Sequence, residues 1–281
     1  MRLDQAIAHW AEAFRQMEIE TAKLDARLIV QHALNLSDMD MLVQFDRHLS
    51  EQDQKVVAKL AERRLKREPV AHLLGYREFW GLNFAVSGDV LVPRADSETL
   101  IEAVLADIPD CKAPLKLVDI GTGSGCLLLA LLSELPNAVG IGVDMSTSAL
   151  NIARRNARNL NLTDRCLFVR GDFATAFAGS IDVLISNPPY LAEEEFGGLD
   201  VDVANYDPYS ALVSGPSGLE AYEQILDQIG AWGRPLPSVY LEIGYQQGEA
   251  LQALALCNKA VSVRIKQDLG GRDRVVTISY E

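Results

Sequence analysis

From about residue 93 onward the chain alternates short, nearly uninterrupted apolar runs with longer stretches of helical periodicity, and few folds accept that pattern. The runs at 116–120, 139–143, 167–169, 183–185 and 239–243 lack the polar alternation of half-exposed strands, so they read as strands covered on both faces. Between them, 126–135, 148–160, 219–232 and 247–256 carry helical spacing. Strand–helix alternation of this kind implies a parallel sheet with helices on both sides, an α/β doubly wound fold. Two late β-rich runs, 260–265 and 275–280, flank the sequence DLGGRDR and are expected to close the sheet as an antiparallel pair.

Residues 1–75 have a different character. Trp10, Phe14 and Met17 recur at helical spacing, as do Val56, Leu60 and Ala61, and no strand-like alternation interrupts them. Ser50 with Asp53 three positions on marks a helix start. A small helical domain is expected over 1–75, a β-hairpin connector over 76–92 where aromatic residues flank Gly81, and the α/β domain over 93–281. Lys55, Lys59, Arg63, Arg64, Lys66 and Arg67 form a basic run that reads first as a solvated helix face and second as a partner contact.

Composition removes several function classes. With 26 basic and 39 acidic side chains the net charge is −13, a poor balance for a protein that grips phosphates, so stable nucleic-acid binding is not expected. No apolar stretch reaches the length of a membrane span. The four cysteines, Cys111, Cys126, Cys166 and Cys257, are scattered without a C-x-x-C pair, which argues against a zinc site or a disulfide framework and for a reducing, cytoplasmic setting. No metal site is expected.

Three strand ends carry ligand chemistry. Gly121, Thr122, Gly123, Ser124 and Gly125 follow Asp119 and Ile120 where the first sheet strand turns into a helix, so the backbone can approach a ligand closely. Asp144 ends the next strand and suits the two hydroxyls of a ribose. Dinucleotide enzymes share both features, but the glycine spacing departs from G-x-G-x-x-G and favours a nucleoside without a pyrophosphate. After the third strand, Asp172 offers an acceptor for an adenine amino group and Phe173 a stacking face, although Phe173 also reads as ordinary core. Together the three point to an adenosine-bearing cofactor.

After the fourth strand stands Asn187-Pro188-Pro189-Tyr190. Two prolines could simply end a strand, but this tetrapeptide falls at the same sheet edge as the cofactor loops. The Asn187 side-chain carbonyl and the Pro188 backbone carbonyl can each accept an N–H from one planar nitrogen and favour a geometry that frees its lone pair. Tyr190 offers a wall for a flat acceptor. The implied chemistry is methyl transfer from S-adenosylmethionine, yielding S-adenosylhomocysteine, with Asn187, Pro188 and Tyr190 catalytic.

Over most of its length the chain resembles the peptide-chain release factor glutamine methyltransferases, the PrmC/HemK family. The resemblance rests on GYREFWGLNF, VPRADSET, DIGTGSG, SNPPY, NYDPYSAL, GLEAY, LEIGYQQGE and DLGGRDRVV. It implies a Rossmann-like class I methyltransferase sheet with a small N-terminal helical domain that docks the substrate. It also implies methylation of the Gly-Gly-Gln glutamine of bacterial class 1 release factors, with cofactor contacts at Gly121 to Gly125, Asp144, Phe173 and Asn187, and with the acceptor glutamine against Asn187, Pro188, Pro189 and Tyr190. NPPY alone is shared with DNA and RNA amino methyltransferases, which is the alternative enzyme reading; a non-catalytic adaptor retaining the fold is a third. Where the family has Pro-Arg-Pro, this chain has Pro93-Arg94-Ala95, and neither Arg94 nor Glu98 receives a role from sequence.

Overall fold

The computed structural model describes residues 1–172, 180–232 and 236–280. Its contacts divide the chain into two units, Met1–Tyr76 with Asp200–Tyr206, and Arg77–Leu199 with Asp207–Glu281.

The first unit holds α1 (Leu3–Gln16), α2 (Ala22–Ala33), α3 (Asp38–Val43), α4 (Glu51–Leu65), α5 (Val70–Leu74) and the one-turn α9 (Val201–Ala204). Phe14, Ile19, Ala26, Ile29, Ala61 and Leu73 pack into one small core, the product of one apolar stripe per helix. Ser50 caps α4 as its spacing predicts: Ser50 Oγ accepts from Asp53 N, and Asp53 Oδ2 accepts from Ser50 N, both at 3.1 Å.

The basic run on this helix is not a uniformly solvated face. Lys55, Lys59 and Lys66 are exposed, but Arg64 is buried. Its Nε donates to Asp25 Oδ2 at 2.8 Å and its Nη1 to Asp202 Oδ2 at 2.6 Å. Arg67 Nε reaches the other oxygen of Asp202, and Tyr206 Oη donates to the Lys66 carbonyl at 2.9 Å. The reading of this run is corrected by a carboxylate that arrives from far along the chain. A charge turned inward needs such a partner, and nothing local in the sequence announces it.

Apart from Tyr76, the hairpin of β1 (Tyr76–Phe79) and β2 (Leu82–Ala85) opens the second unit, turned by Trp80 and Gly81 at φ 53° and 69°. Glu98 stabilises that turn by accepting the Trp80 N–H at 2.9 Å. Then come α6 (Glu98–Asp107), β3 (Lys116–Ile120), α7 (Cys126–Glu134), β4 (Val139–Asp144), α8 (Thr147–Asn159), β5 (Cys166–Arg170), β6 (Val183–Ser186), α10 (Glu220–Gly230), β7 (Ser238–Glu242), α11 (Gly248–Cys257), β8 (Ser262–Gln267) and β9 (Asp273–Ser279). Sequence periodicity missed α6, whose apolar residues sit directly after the Pro-Arg motif. The other expected helices and strands of this unit lie within two residues or so of their observed bounds.

The sheet order is β5-β4-β3-β6-β7-β9-β8, with β9 antiparallel to both its neighbours. The uninterrupted apolar runs have a simple cause. Leu117, Val183, Ile185 and Tyr240 face a core with α6, α7 and α8, while Val118, Leu184, Val239 and Leu241 face a core with α10 and α11. Strand order reverses at β3, which pairs with β4 on one side and β6 on the other. That reversal opens a crevice at the carboxyl ends of these strands, where α/β sheets bind ligands.

Candidate functional site

Each side of the crevice is built by a strand that ends in a constrained loop. After β3, Gly121, Gly123 and Gly125 all hold positive φ, at 69°, 53° and 80°. A Cβ at Gly121 would meet nothing within 4 Å, whereas one at Gly125 would press on Ala153 and Leu129 at 3.2 Å. The first glycine therefore leaves open space and the third permits close packing of loop on helix. The loop is pinned from inside. Thr122 N donates to the Val143 carbonyl at 2.9 Å, and Thr122 Oγ1 to Asp119 Oδ2 at 2.6 Å. The buried Asn156 amide joins the Ser124 carbonyl at 2.8 Å to the backbone of Ala85, whose N–H it accepts at 2.7 Å.

Asp144 closes this side. Its Oδ2 accepts the Gly123 N–H at 2.9 Å and its Oδ1 accepts the Ser146 N–H at 2.8 Å. Each carboxylate oxygen keeps a further acceptor position. Burial pushes the neighbouring Asp119 carboxyl up to about 7, with the Thr122 hydrogen bond opposing and the Asp144 charge adding to the rise.

After β6 the loop 187–190 faces the glycines. Ser186 Oγ ties the strand end to the Ile120 carbonyl at 2.7 Å. Asn187 Nδ2 donates to Ser97 Oγ at 3.3 Å. One strand over, the register Ser186↔Leu241 brings Glu242 abreast of Asn187. Glu242 is buried and is pushed up to about 7 by that burial; polar contact with Ser97 and Asn187 and the charge of Arg274 oppose the rise, and Asp96 adds to it. Tyr190 is pushed up to about 12, by burial first and the Glu242 charge second, so it remains a neutral phenol. Cys126, also at the crevice, is likewise pushed up to about 12 by burial and offers no thiolate.

The crevice is lined by Gly121, Thr122, Gly123, Ser124, Asp144, Gly171, Asn187 and Pro189 among others, so most of the residues singled out by sequence meet in one place. Gly125 lies at the start of α7, and Tyr190 packs against the core beneath α10 and α11. Asp172 is exposed, with Gln224 Nε2 at 3.4 Å from both its oxygens. Phe173 lies outside the described residues. Sequence reasoning missed Ser97, Glu242 and Gln247, and left Arg94 without a role. Arg94 lines the crevice, where its Nη2 donates to the buried Asp207 at 2.6 Å. The one available signal was a charged residue, Glu242, ending an otherwise apolar strand.

Among the described residues no group of His, Cys, Asp or Glu is placed to hold a metal ion, and no helix is long and apolar enough to cross a membrane.

Residues 5–75 match the family model described as PrmC N-terminal domain, and residues 96–200 the one described as methyltransferase small domain. The release factor glutamine methyltransferase of Rhodospirillum rubrum is 40% identical over 91% of this chain and 78% of its own length. That of Bradyrhizobium diazoefficiens is 40% identical over 95% of this chain and 91% of its own. Among solved structures, the hMettl16 catalytic domain in complex with the MAT2A 3′UTR hairpin 1 covers 92% of this chain and 91% of its own, with TM-score 0.61 and 15% identity. That last likeness is one of fold.

Proposed function

The chain belongs to the release factor glutamine methyltransferase family, and from that premise we propose that it transfers a methyl group from S-adenosylmethionine to the glutamine side-chain nitrogen in the Gly-Gly-Gln loop of bacterial class 1 release factors. The observation that carries the proposal is the meeting of Asn187 with the glycine loop and Asp144 in one crevice at the strand-order reversal.

The crevice fits the cofactor. Open space above Gly121 admits a ligand backbone, Asp144 keeps acceptor positions for ribose hydroxyls, and Val90, Leu91, Met145 and Ala149 supply apolar lining. The loop after β5 is assigned the adenine end, with Asp172 as acceptor and Phe173 as stacking face. When bound, the cofactor supplies an electrophilic methyl carbon on a sulfonium.

The chain's own residues act on the acceptor. An amide nitrogen is a poor nucleophile while its lone pair is conjugated with the carbonyl. Asn187 Nδ2 is engaged toward Ser97, which leaves Oδ1 as the acceptor for one substrate N–H. The Pro188 carbonyl accepts the other, aimed in advance by the fixed φ of the prolines. Both acceptors strengthen as the nitrogen loses conjugation, so they favour the transition state over bound substrate. No strong base is required, because the methylated amide nitrogen is acidic and sheds its proton.

A glutamine alone buries too little surface for tight binding, so affinity must come from elsewhere on the folded partner. The helical unit is assigned that docking. On and just after α3 it exposes Met39, Leu42, Val43 and Phe45 by 56–68%, a clustering that monomer surfaces rarely carry without a partner.

Transfer of radiolabelled methyl groups to purified release factors, compared with bulk RNA and DNA, tests the proposal. Label in release factor that is lost on changing the acceptor glutamine is the expected result. Label in nucleic acid alone would overturn it.

A further inference from the structure

The loop 187–190 has two ends, and the prolines account for only its middle. Proline fixes φ at 188 and 189 but leaves the peptide plane after Tyr190 free to turn. That plane is held at both edges: Leu191 N donates to the Leu212 carbonyl at 3.0 Å, and a side chain from another segment takes the Tyr190 carbonyl. Gln247, at the start of α11, donates from Nε2 to the Tyr190 carbonyl at 2.8 Å and to the Gly218 carbonyl at 3.2 Å. Its Oε1 accepts the Gly244 N–H at 3.0 Å and lies 3.3 Å from the Tyr222 hydroxyl, whose proton goes to the nearer Glu242 carbonyl at 2.9 Å. Both donors of the amide and one of its two lone pairs are used.

The surroundings are shaped for this clasp. Gly218 holds φ +77°, and a Cβ there would stand 2.6 Å from the Tyr190 carbonyl oxygen, so a side chain at this position would push the clasped carbonyl away. A Cβ at Gly244 would lie 3.0 Å from Gln247 Oε1 and 3.5 Å from the Tyr190 ring. The same backbone that receives the amide thus also backs the aromatic wall. At the other end Asn187 is held by Ser97 and by the strand register, so the tetrapeptide is gripped on both sides.

We infer that Gln247 is a positioning residue for methyl transfer: by clasping the Tyr190 carbonyl it holds the Pro188 carbonyl and the Tyr190 ring in register with the acceptor nitrogen. It touches neither substrate nor cofactor in this role. The inference rests on the proposed function, since it supposes that the acceptor nitrogen sits against this loop. Displacing a positioned group by about 1 Å can slow a reaction about 100-fold without changing how tightly reactants bind.

The test is Gln247→Glu in the full chain, with unmethylated bacterial class 1 release factor as acceptor and the wild type measured alongside. Near pH 8 the new carboxylate would point acceptor oxygens at two carbonyls. Expected is a fall in kcat of about tenfold or more, with S-adenosylmethionine affinity and release-factor KM within about threefold of wild type. The deficit relative to wild type should narrow as pH is lowered toward about 6, because two carbonyls and partial burial raise the pKa of a carboxyl here, and once protonated it can again donate one hydrogen bond. A kcat within about twofold of wild type would overturn the inference, as would a pH-independent deficit that merely follows a lower melting temperature. Should that variant not fold, Gln247→Ala removes the clasp without introducing a charge and is expected to lower kcat by about tenfold with S-adenosylmethionine affinity within about threefold of wild type, an unchanged kcat overturning the inference. Absence of methyl transfer by the wild type would instead count against the proposed function, so the two failures are distinct.

Discussion

Arg64 and Asp202, 138 positions apart, are joined at 2.6 Å, and the same guanidinium also holds Asp25 at 2.8 Å. The Arg64 side chain is 5% exposed and that of Asp202 22%, so water does little to screen the pair. Replacing Asp202 with alanine leaves Arg64 with a single carboxylate and strips Arg67 of its carboxylate partner, leaving it the Met17 carbonyl at 3.0 Å. A loss of about 1–3 kcal/mol in folding stability is expected, less than for an isolated buried pair because Asp25 remains. Denaturant unfolding of Asp202→Ala measures it, and an unchanged midpoint would show that the pair contributes nothing net.

Asp144→Ala is expected to weaken S-adenosylmethionine binding by about tenfold or more, since a charged acceptor for ribose hydroxyls is lost together with the Gly123 and Ser146 N–H bonds that shape the loop. Isothermal titration reads this directly. Wild-type affinity in the variant would mean that the carboxylate serves the loop alone.

Asn187→Ala is expected to do the reverse, lowering single-turnover methyl transfer by about 100-fold or more while most cofactor affinity remains. Its carbonyl matters most when the acceptor nitrogen loses conjugation, which happens only in the transition state. Near-normal transfer by this variant would end the assigned role.

Stability should fall as pH rises through neutrality. Burial pushes Asp119 and Glu242 up to about 7 from ordinary values of 3.8 and 4.5. Between those limits the folded chain holds protons that the unfolded chain has released, so raising pH costs stability until both groups are ionised, and the loss then levels off. Carboxylates held below their usual range act in the opposite sense, but only in acid. Among them are Asp40 and Asp53, held down by their cap hydrogen bonds to Ser37 and Ser50, and Asp268, by that to the Arg272 backbone. Thermal melts should therefore show Tm decreasing from about pH 6 to about pH 8, with a shallower slope in Asp119→Asn and in Glu242→Gln. A Tm that climbs over this range would contradict the assignment.

The docking role of the helical unit predicts a change confined to the protein acceptor. Leu42→Ser combined with Phe45→Ser removes exposed apolar surface and should leave folding unaffected. It is expected to raise the KM for release factor by about tenfold, without altering S-adenosylmethionine affinity or kcat. Steady-state kinetics at varied release-factor concentration decides it, and an unchanged KM would place docking on another surface.

What the sequence alone determines follows from the range of the forces involved. Local rules determined the alternation of β3 through α11, the Ser50 cap, the glycine loop and the constrained Asn187–Tyr190 loop, because burial on two sheet faces, capping and fixed φ each act within a few residues. They also brought Asp144 and Asn187 to one sheet edge, since parallel strands of a doubly wound sheet all end on the same side.

Only the tertiary structure decided which side chains hold that edge together. Glu242 stands abreast of Asn187 because of the register between β6 and β7, and Gln247 reaches Tyr190 because α11 begins behind it. Arg64 is a buried ion-pair member and not a solvated charge because Asp202 returns to it across 138 positions. In each case the partner is distant in the chain, and a pairing energy that depends on desolvation and geometry leaves no periodic trace in the sequence.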